Sequence, residues 1–144
     1  TIRNITTKIP LLRQNMVWLR PERVIPMNDM QELTEQILKF RDARDWKQFH
    51  NSKDMAISLV LEATEFLEHF QWKTEAEVLD HIKDNRAQLG DELADILYWV
   101  LLLSHDLDVD IKASFMAKME KNARKYPVEK AKGTHKKYTE LHDI

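Results

Sequence analysis

From residue 28 onward, apolar side chains recur at three- and four-residue steps, the spacing that lines one face of an α-helix. Met30, Leu33, Ile37 and Phe40 predict a first helix over 29–44, with Asn28 and Gln31 forming a start that resembles a capping box. The run from Arg44 to Asn51 breaks the period. A second helix is predicted over 52–70, with Met55, Leu59, Ala63, Phe66 and Phe70 as its inner stripe. Ile57, Val60 and Leu61 add an apolar ridge on roughly the opposite side, and a helix apolar on two faces is normally sandwiched, here against another subunit. Thr74 and Glu77 form a capping box for a shorter helix ending near Asn85. A further helix over 86–106 carries Leu89, Ile96, Trp99 and Leu103 along one side, and Asp110 caps a last one over 111–125, stopped by Pro127.

Turn-forming residues are scarce: Gly90 and Gly133 are the only glycines, and Pro10, Pro21, Pro26 and Pro127 all lie away from the middle of the chain. That favours long uninterrupted helices over a sheet with many tight turns, so the expected fold is all-α, a bundle of four to five helices that forms oligomers. Residues 1–26 hold three of the prolines without a clear period and are taken as an N-terminal extension; Met27 and Met30 are alternative starts, and a non-native leader is one reading. Residues 27–127 form the helical domain, and the lysine-rich residues 128–144 are expected to be a mobile polar tail.

At 144 residues, with 43% apolar side chains, one domain with one core is expected. Lys and Arg total 22 against 24 Asp and Glu, a balance with no broad electrostatic footprint for a nucleic acid polymer or an anionic membrane. The longest apolar run, 96–103, is far short of the roughly 20 residues of a membrane span. With no cysteine, a disulfide framework, a thiolate zinc site and a cysteine nucleophile are all excluded. No secretory h-region is seen, and a cytoplasmic location is expected.

The chemistry lies in two carboxylate pairs, Glu62/Glu65 and Glu92/Asp95, each three residues apart within apolar helical segments. That spacing puts both acids of a pair on one helix face, about a turn apart. A single half-buried acid is ordinarily paired with Lys or Arg, but four acids from two facing helices repel one another unless a cation neutralises them. Hard oxygen donors select Mg²⁺ or Mn²⁺. A di-iron bundle needs an acid followed three residues later by histidine, and none of the six histidines has one; no His-Glu-x-x-His is present either. Magnesium held by a few carboxylates usually completes its shell with water and substrate phosphates, so phosphoryl chemistry is the inference. No Gly-rich phosphate loop is present, and Lys118, Lys121, Arg124 and Lys125 offer charge on the last helix. Trp99, one turn beyond Asp95, reads either as core or as a wall for a stacked base, with Trp46 and Trp72 at helix ends where a pocket mouth fits. His50 adjoins the first helix break, as a site residue or a surface histidine, while the other histidines show no partner pattern. A non-catalytic helical interaction module and a nucleotide-binding sensor are the alternatives to an enzyme.

Leu61-Glu62-Ala63-Thr64-Glu65 followed by Glu92-Leu93-Ala94-Asp95 resembles the E-x-x-E, E-x-x-D signature of the MazG-like nucleotide pyrophosphohydrolases, in the all-α NTP pyrophosphatase superfamily. The segment from Phe40 to His50, Phe70-Gln71-Trp72, and the run from Lys118 to Pro127 are similar to the single-domain dCTP pyrophosphatase branch. Across residues 30–140 the resemblance implies Mg²⁺-dependent hydrolysis of a nucleoside triphosphate to monophosphate and pyrophosphate. It implies Glu62, Glu65, Glu92 and Asp95 as metal ligands, Lys118 and Asn122 facing phosphates or sugar with Lys125 and Tyr126 nearby, and a homodimer or homotetramer. In that branch tyrosine often stands at the Trp99 position and a histidine at the Ile37 position; these departures bear on the base rather than on the chemistry.

Overall fold

A computed structural model describes residues 29–141, and the expected extension over 1–26 and the Asn28 cap lie outside them. Six α-helices follow in order: α1 Asp29–Asp42, α2 Ser52–Glu68, α3 Glu75–Asp84, α4 Arg86–Asp106, α5 Ile111–Lys125 and the single-turn α6 Val128–Ala131. Two 3₁₀ turns, Trp46–Phe49 and Tyr138–Glu140, complete the described residues, which contain no strand. The all-α expectation holds, with five helices of ten residues or more and α6 in addition.

Local chemistry sets the boundaries. Asp45 takes a left-handed backbone at φ 54°, which ends the path of α1 and turns the chain into the Trp46–Phe49 turn. The Asn51 side chain accepts from Asp54 N–H at 3.0 Å, satisfying one of the free donors at the start of α2. The Thr74/Glu77 capping box forms as expected, with Glu77 Oε2 accepting from Thr74 N–H at 2.7 Å. Asp110 Oδ1 accepts from Ala113 N–H at 2.9 Å at the head of α5, whose last residue, Lys125, lies two before Pro127.

Packing centres on α2 against α4, with α1 on another side of α4. Consecutive Leu101 and Leu102 are both buried, Leu102 completely, as befits a helix covered from two directions. Met55, Leu89 and Leu141 are buried as well. The Arg41 side chain, 2% exposed, joins the ends of α1 and α4: Nη1 donates to both Asp106 oxygens at 3.1 Å and Nε to Asp42 Oδ1 at 2.9 Å. A charge buried so deeply persists because two carboxylates meet the guanidinium, at Nε and at Nη1.

Two expectations are corrected. The inner line of α2 runs through Met55, Leu59, Glu62 and Phe66, whereas Ala63 is exposed. Steps of four, three and four follow the 3.6-residue period more closely than the line through Ala63, and they carry an acid into the interface. Residues 128–141 are also no bare tail: α6 and the second 3₁₀ turn form, Tyr138 meets Tyr126 edge-on at 6.0 Å, and Leu141 is 2% exposed. Tyr138 and Leu141 anchor a segment whose lysines give it a polar composition.

The second ridge of α2 is open, with Ile57, Val60, Leu61 and Leu67 exposed, as are Leu93 and Leu97 on α4 and Phe115, Met116 and Met119 on α5. No helix is long and apolar enough to cross a membrane among the described residues.

Candidate active site

α2 and α4 bring Glu62, Glu65 and Glu92 together, with one carboxylate oxygen from each lying within 4.8 Å of the others. Among the described residues no Lys or Arg stands within ion-pair distance of any of them; His69 Nε2, 3.9 Å from Glu92 Oε1, is the nearest candidate cation. The charge therefore meets no compensating Lys or Arg among the described residues. Glu62 first and then Glu92, with smaller help from desolvation, Glu68 and Asp95, hold the Glu65 carboxyl above its ordinary range. Hard oxygens from two helices under mutual repulsion suit a divalent ion of the Mg²⁺ type, and the donor set contains no thiolate or imidazole that would favour a softer metal.

Beside the acids lies a cavity of about 720 Å³ lined by Glu62 and Asp95 and walled by aromatic rings. Phe40 meets Trp46 at 5.8 Å and Tyr98 at 6.4 Å, Tyr98 meets Trp99 at 5.1 Å, Trp99 meets His50 at 5.4 Å, and His50 meets Trp46 at 6.4 Å, closing a circuit. Such π-faces can receive a heterocyclic base by stacking. The Arg44 guanidinium lies 3.6 Å over the Phe40 ring at the same cavity. Burial raises the Tyr98 phenol despite the opposing charges of Arg41 and Arg44, so its hydroxyl stays protonated. Trp99 Nε1–H donates to Glu62 Oε1 at 3.2 Å, so one side chain is both wall of the cavity and tether of an acid. The buried His50 Nδ1 has no hydrogen-bond partner among the described residues.

Of the expected site residues, Glu62, Glu65 and Glu92 converge, and Asp95 faces the cavity beside Glu62 without joining the three-oxygen group. Trp46, His50 and Trp99 line one cavity together. Trp72 does not: it is 90% exposed, in a left-handed backbone at φ 65°. Lys118, Asn122, Lys125 and Tyr126 line neither cavity beside the acids. They sit on or just after α5, which packs little on the other long helices, and Lys125 Nζ lies 4.7 Å over the Tyr138 ring. Sequence reasoning missed Tyr98 and Arg44, and read Phe40 as stripe; the aromatic pair Tyr98-Trp99 beside an acid was the available signal.

It also assigned no role to His69 and His81, which the fold joins. His69 Nδ1 lies 2.9 Å from His81 Nε2, and Asn85 Nδ2 lies 3.1 Å from His81 Nδ1. Desolvation, then Lys73 and His69, outweigh Asp84 and hold His81 below the ordinary imidazole range. Both imidazoles line a second cavity of about 470 Å³ with Glu65, Glu68, Lys73 and Glu92.

The MazG-like family profile matches residues 57–141, the stretch that holds both acid pairs. dCTP pyrophosphatase 1 of Mus musculus is 34% identical over 124 residues, 85% of this chain and 73% of its own length. The Homo sapiens protein of the same name is 35% identical over 118 residues, 81% of this chain and 69% of its own. Among solved structures, a pyrophosphatase from Archaeoglobus fulgidus superposes with a TM-score of 0.66 at 35% identity, covering 69% of this chain and 93% of that one. On sequence profile, relatives and fold alike, the chain belongs to the MazG-like family.

Proposed function

We propose that this chain, a nucleotide pyrophosphohydrolase by family and relatives, cleaves (deoxy)nucleoside triphosphates between the α and β phosphates, favours pyrimidine deoxynucleotides such as dCTP, and clears surplus or non-standard nucleotides from the pool. The observation that carries this reading is a three-carboxylate group directly beside an aromatic-walled cavity, a cation seat next to a place for a base. Relatives named for dCTP support the choice of base.

Glu62, Glu65 and Glu92 would hold Mg²⁺, or Mn²⁺ in its place, with Asp95 at the cavity edge as fourth acid. When bound, the ion supplies Lewis acidity toward phosphate oxygens and a more acidic water. The rest falls to the protein. Trp46, Trp99 and His50 take the base, and the open Nδ1 of His50 offers it a polar contact. Trp99 keeps Glu62 in place through its indole N–H. A carboxylate left free by the ion would orient the attacking water or accept its proton. Lys118 and Asn122, with Lys125 and Tyr126 beyond them, approach the phosphates from a second copy of the chain in a homodimer or homotetramer. Supporting this are the outlying position of α5 and the open apolar ridges of α2, α4 and α5.

A panel of nucleotides incubated with Mg²⁺ and assayed for pyrophosphate tests the reading, with Glu65→Gln and Asp95→Asn as controls. Release of pyrophosphate and the matching monophosphate, highest for dCTP and lost in both variants, is expected. No pyrophosphate from any nucleotide would overturn it.

A further inference from the structure

Asn85 fixes the direction of a hydrogen-bonded chain that ends at His69, 3.9 Å from the nearest oxygen of the acid cluster. Its amide nitrogen donates to the His81 carbonyl oxygen at 3.0 Å, and a carbonyl can only accept, so the –NH₂ end of Asn85 must face His81. The same nitrogen lies 3.1 Å from His81 Nδ1, which is therefore the acceptor, leaving the ring hydrogen of neutral His81 on Nε2. That Nε2–H points to His69 Nδ1 at 2.9 Å and makes it an acceptor in turn. The hydrogen of His69 is then on Nε2, the atom 3.9 Å from Glu92 Oε1. Each step follows from the one before, and the order begins at a backbone oxygen whose role cannot change.

We propose that Asn85 and His81 hold His69 as its Nε2–H tautomer, making His69 a positioning residue that presents a hydrogen to Glu92 and orients this carboxylate for the divalent ion shared with Glu62 and Glu65. The inference rests on the cation reading of the acid cluster given above. The groups involved come from three places in the chain: His69 follows α2, His81 lies on α3, and Asn85 joins α3 to α4. The short helix α3 thereby acquires a task for the site although it contributes no acid to it. A carboxylate whose free rotation is restricted by a fixed donor loses less freedom on binding a cation, and partners of this kind typically carry about 10- to 100-fold in metal affinity.

Two measurements on the intact protein test this, neither of them turnover. Long-range ¹H–¹⁵N correlation spectra should place the ring hydrogen on Nε2 in both His69 and His81; an Nδ1–H form at His69 would overturn the proposal. Calorimetric titration with Mn²⁺ alone should show about 10-fold weaker binding in His69→Leu and in Asn85→Leu. The second variant touches no acid; because it also removes the donor to the His81 carbonyl, its thermal midpoint is measured beside its affinity. His69→Gln, whose amide can place an N–H near the position of Nε2, should recover most of the loss. Parent-like Mn²⁺ affinity in a folded His69→Leu protein overturns the positioning role while leaving the cation site intact, whereas no Mn²⁺ binding by the unaltered chain overturns the site reading and this inference together.

Discussion

Glu65 is held in a site that the fold alone does not favour. Its carboxyl is crowded by Glu62 and Glu92 with no Lys or Arg in ion-pair distance among the described residues, so folding brings together charges that the unfolded chain keeps apart. Glu65→Gln is accordingly expected to lower kcat/KM by about 100-fold or more, as loss of a group in direct charge of an ion should. The same change should raise the thermal midpoint measured in chelator by relieving repulsion. A fall in both quantities would mean that Glu65 is structural. Adding Mg²⁺ should narrow the difference in midpoint, because a ligand bound only by the folded parent stabilises it by mass action.

The helices were largely legible from sequence because their boundaries are written in local chemistry: Thr74 with Glu77, Asp110 and Pro127 each act within one turn. The joint between α1 and α4 was not, since Arg41 and Asp106 are far apart in sequence and nothing near either announces the other. Asp106→Ala should cost about 3 kcal/mol of unfolding free energy in urea titrations, because it strips a buried guanidinium of one of its two partners. Burial alone would raise the Asp106 carboxyl, but hydrogen bonds from His105 and Arg41 outweigh it and hold the group below the usual aspartate range. A folded-state value below the unfolded one means that this contribution is complete above about pH 3.9 and disappears as the pH falls through the depressed value. Urea midpoints of the parent and Asp106→Ala should thus converge in acid and stand apart at neutral pH. At the head of α3, Thr74→Ala removes the reciprocal cap and should cost about 1 kcal/mol by the same measurement.

At the scale of the molecule, the site divides by what periodicity can and cannot reveal. Acid pairs three apart were visible because a helix turns such spacing into a shared face, whereas Trp99, one turn beyond Asp95, read either as core or as wall. The aromatic circuit and the His69–His81–Asn85 chain were invisible because they join different elements through contacts that no single period records. The expectation that α2 is apolar on two sides is matched by its exposed ridge, and Val60→Glu on that ridge should shift sedimentation toward the monomer under the proposed assembly. Lys118 and Asn122 have a further consequence, since they ride on a helix that packs little on the others and line neither cavity beside the acids of their own chain. In the proposed arrangement, Glu65→Gln chains and Lys118→Ala chains, each inactive alone, would regain part of the parent rate when mixed. Specific activity would also decline on dilution, so abundance itself would act as a throttle, and only a copy defective in both parts would silence the sound one with which it assembles.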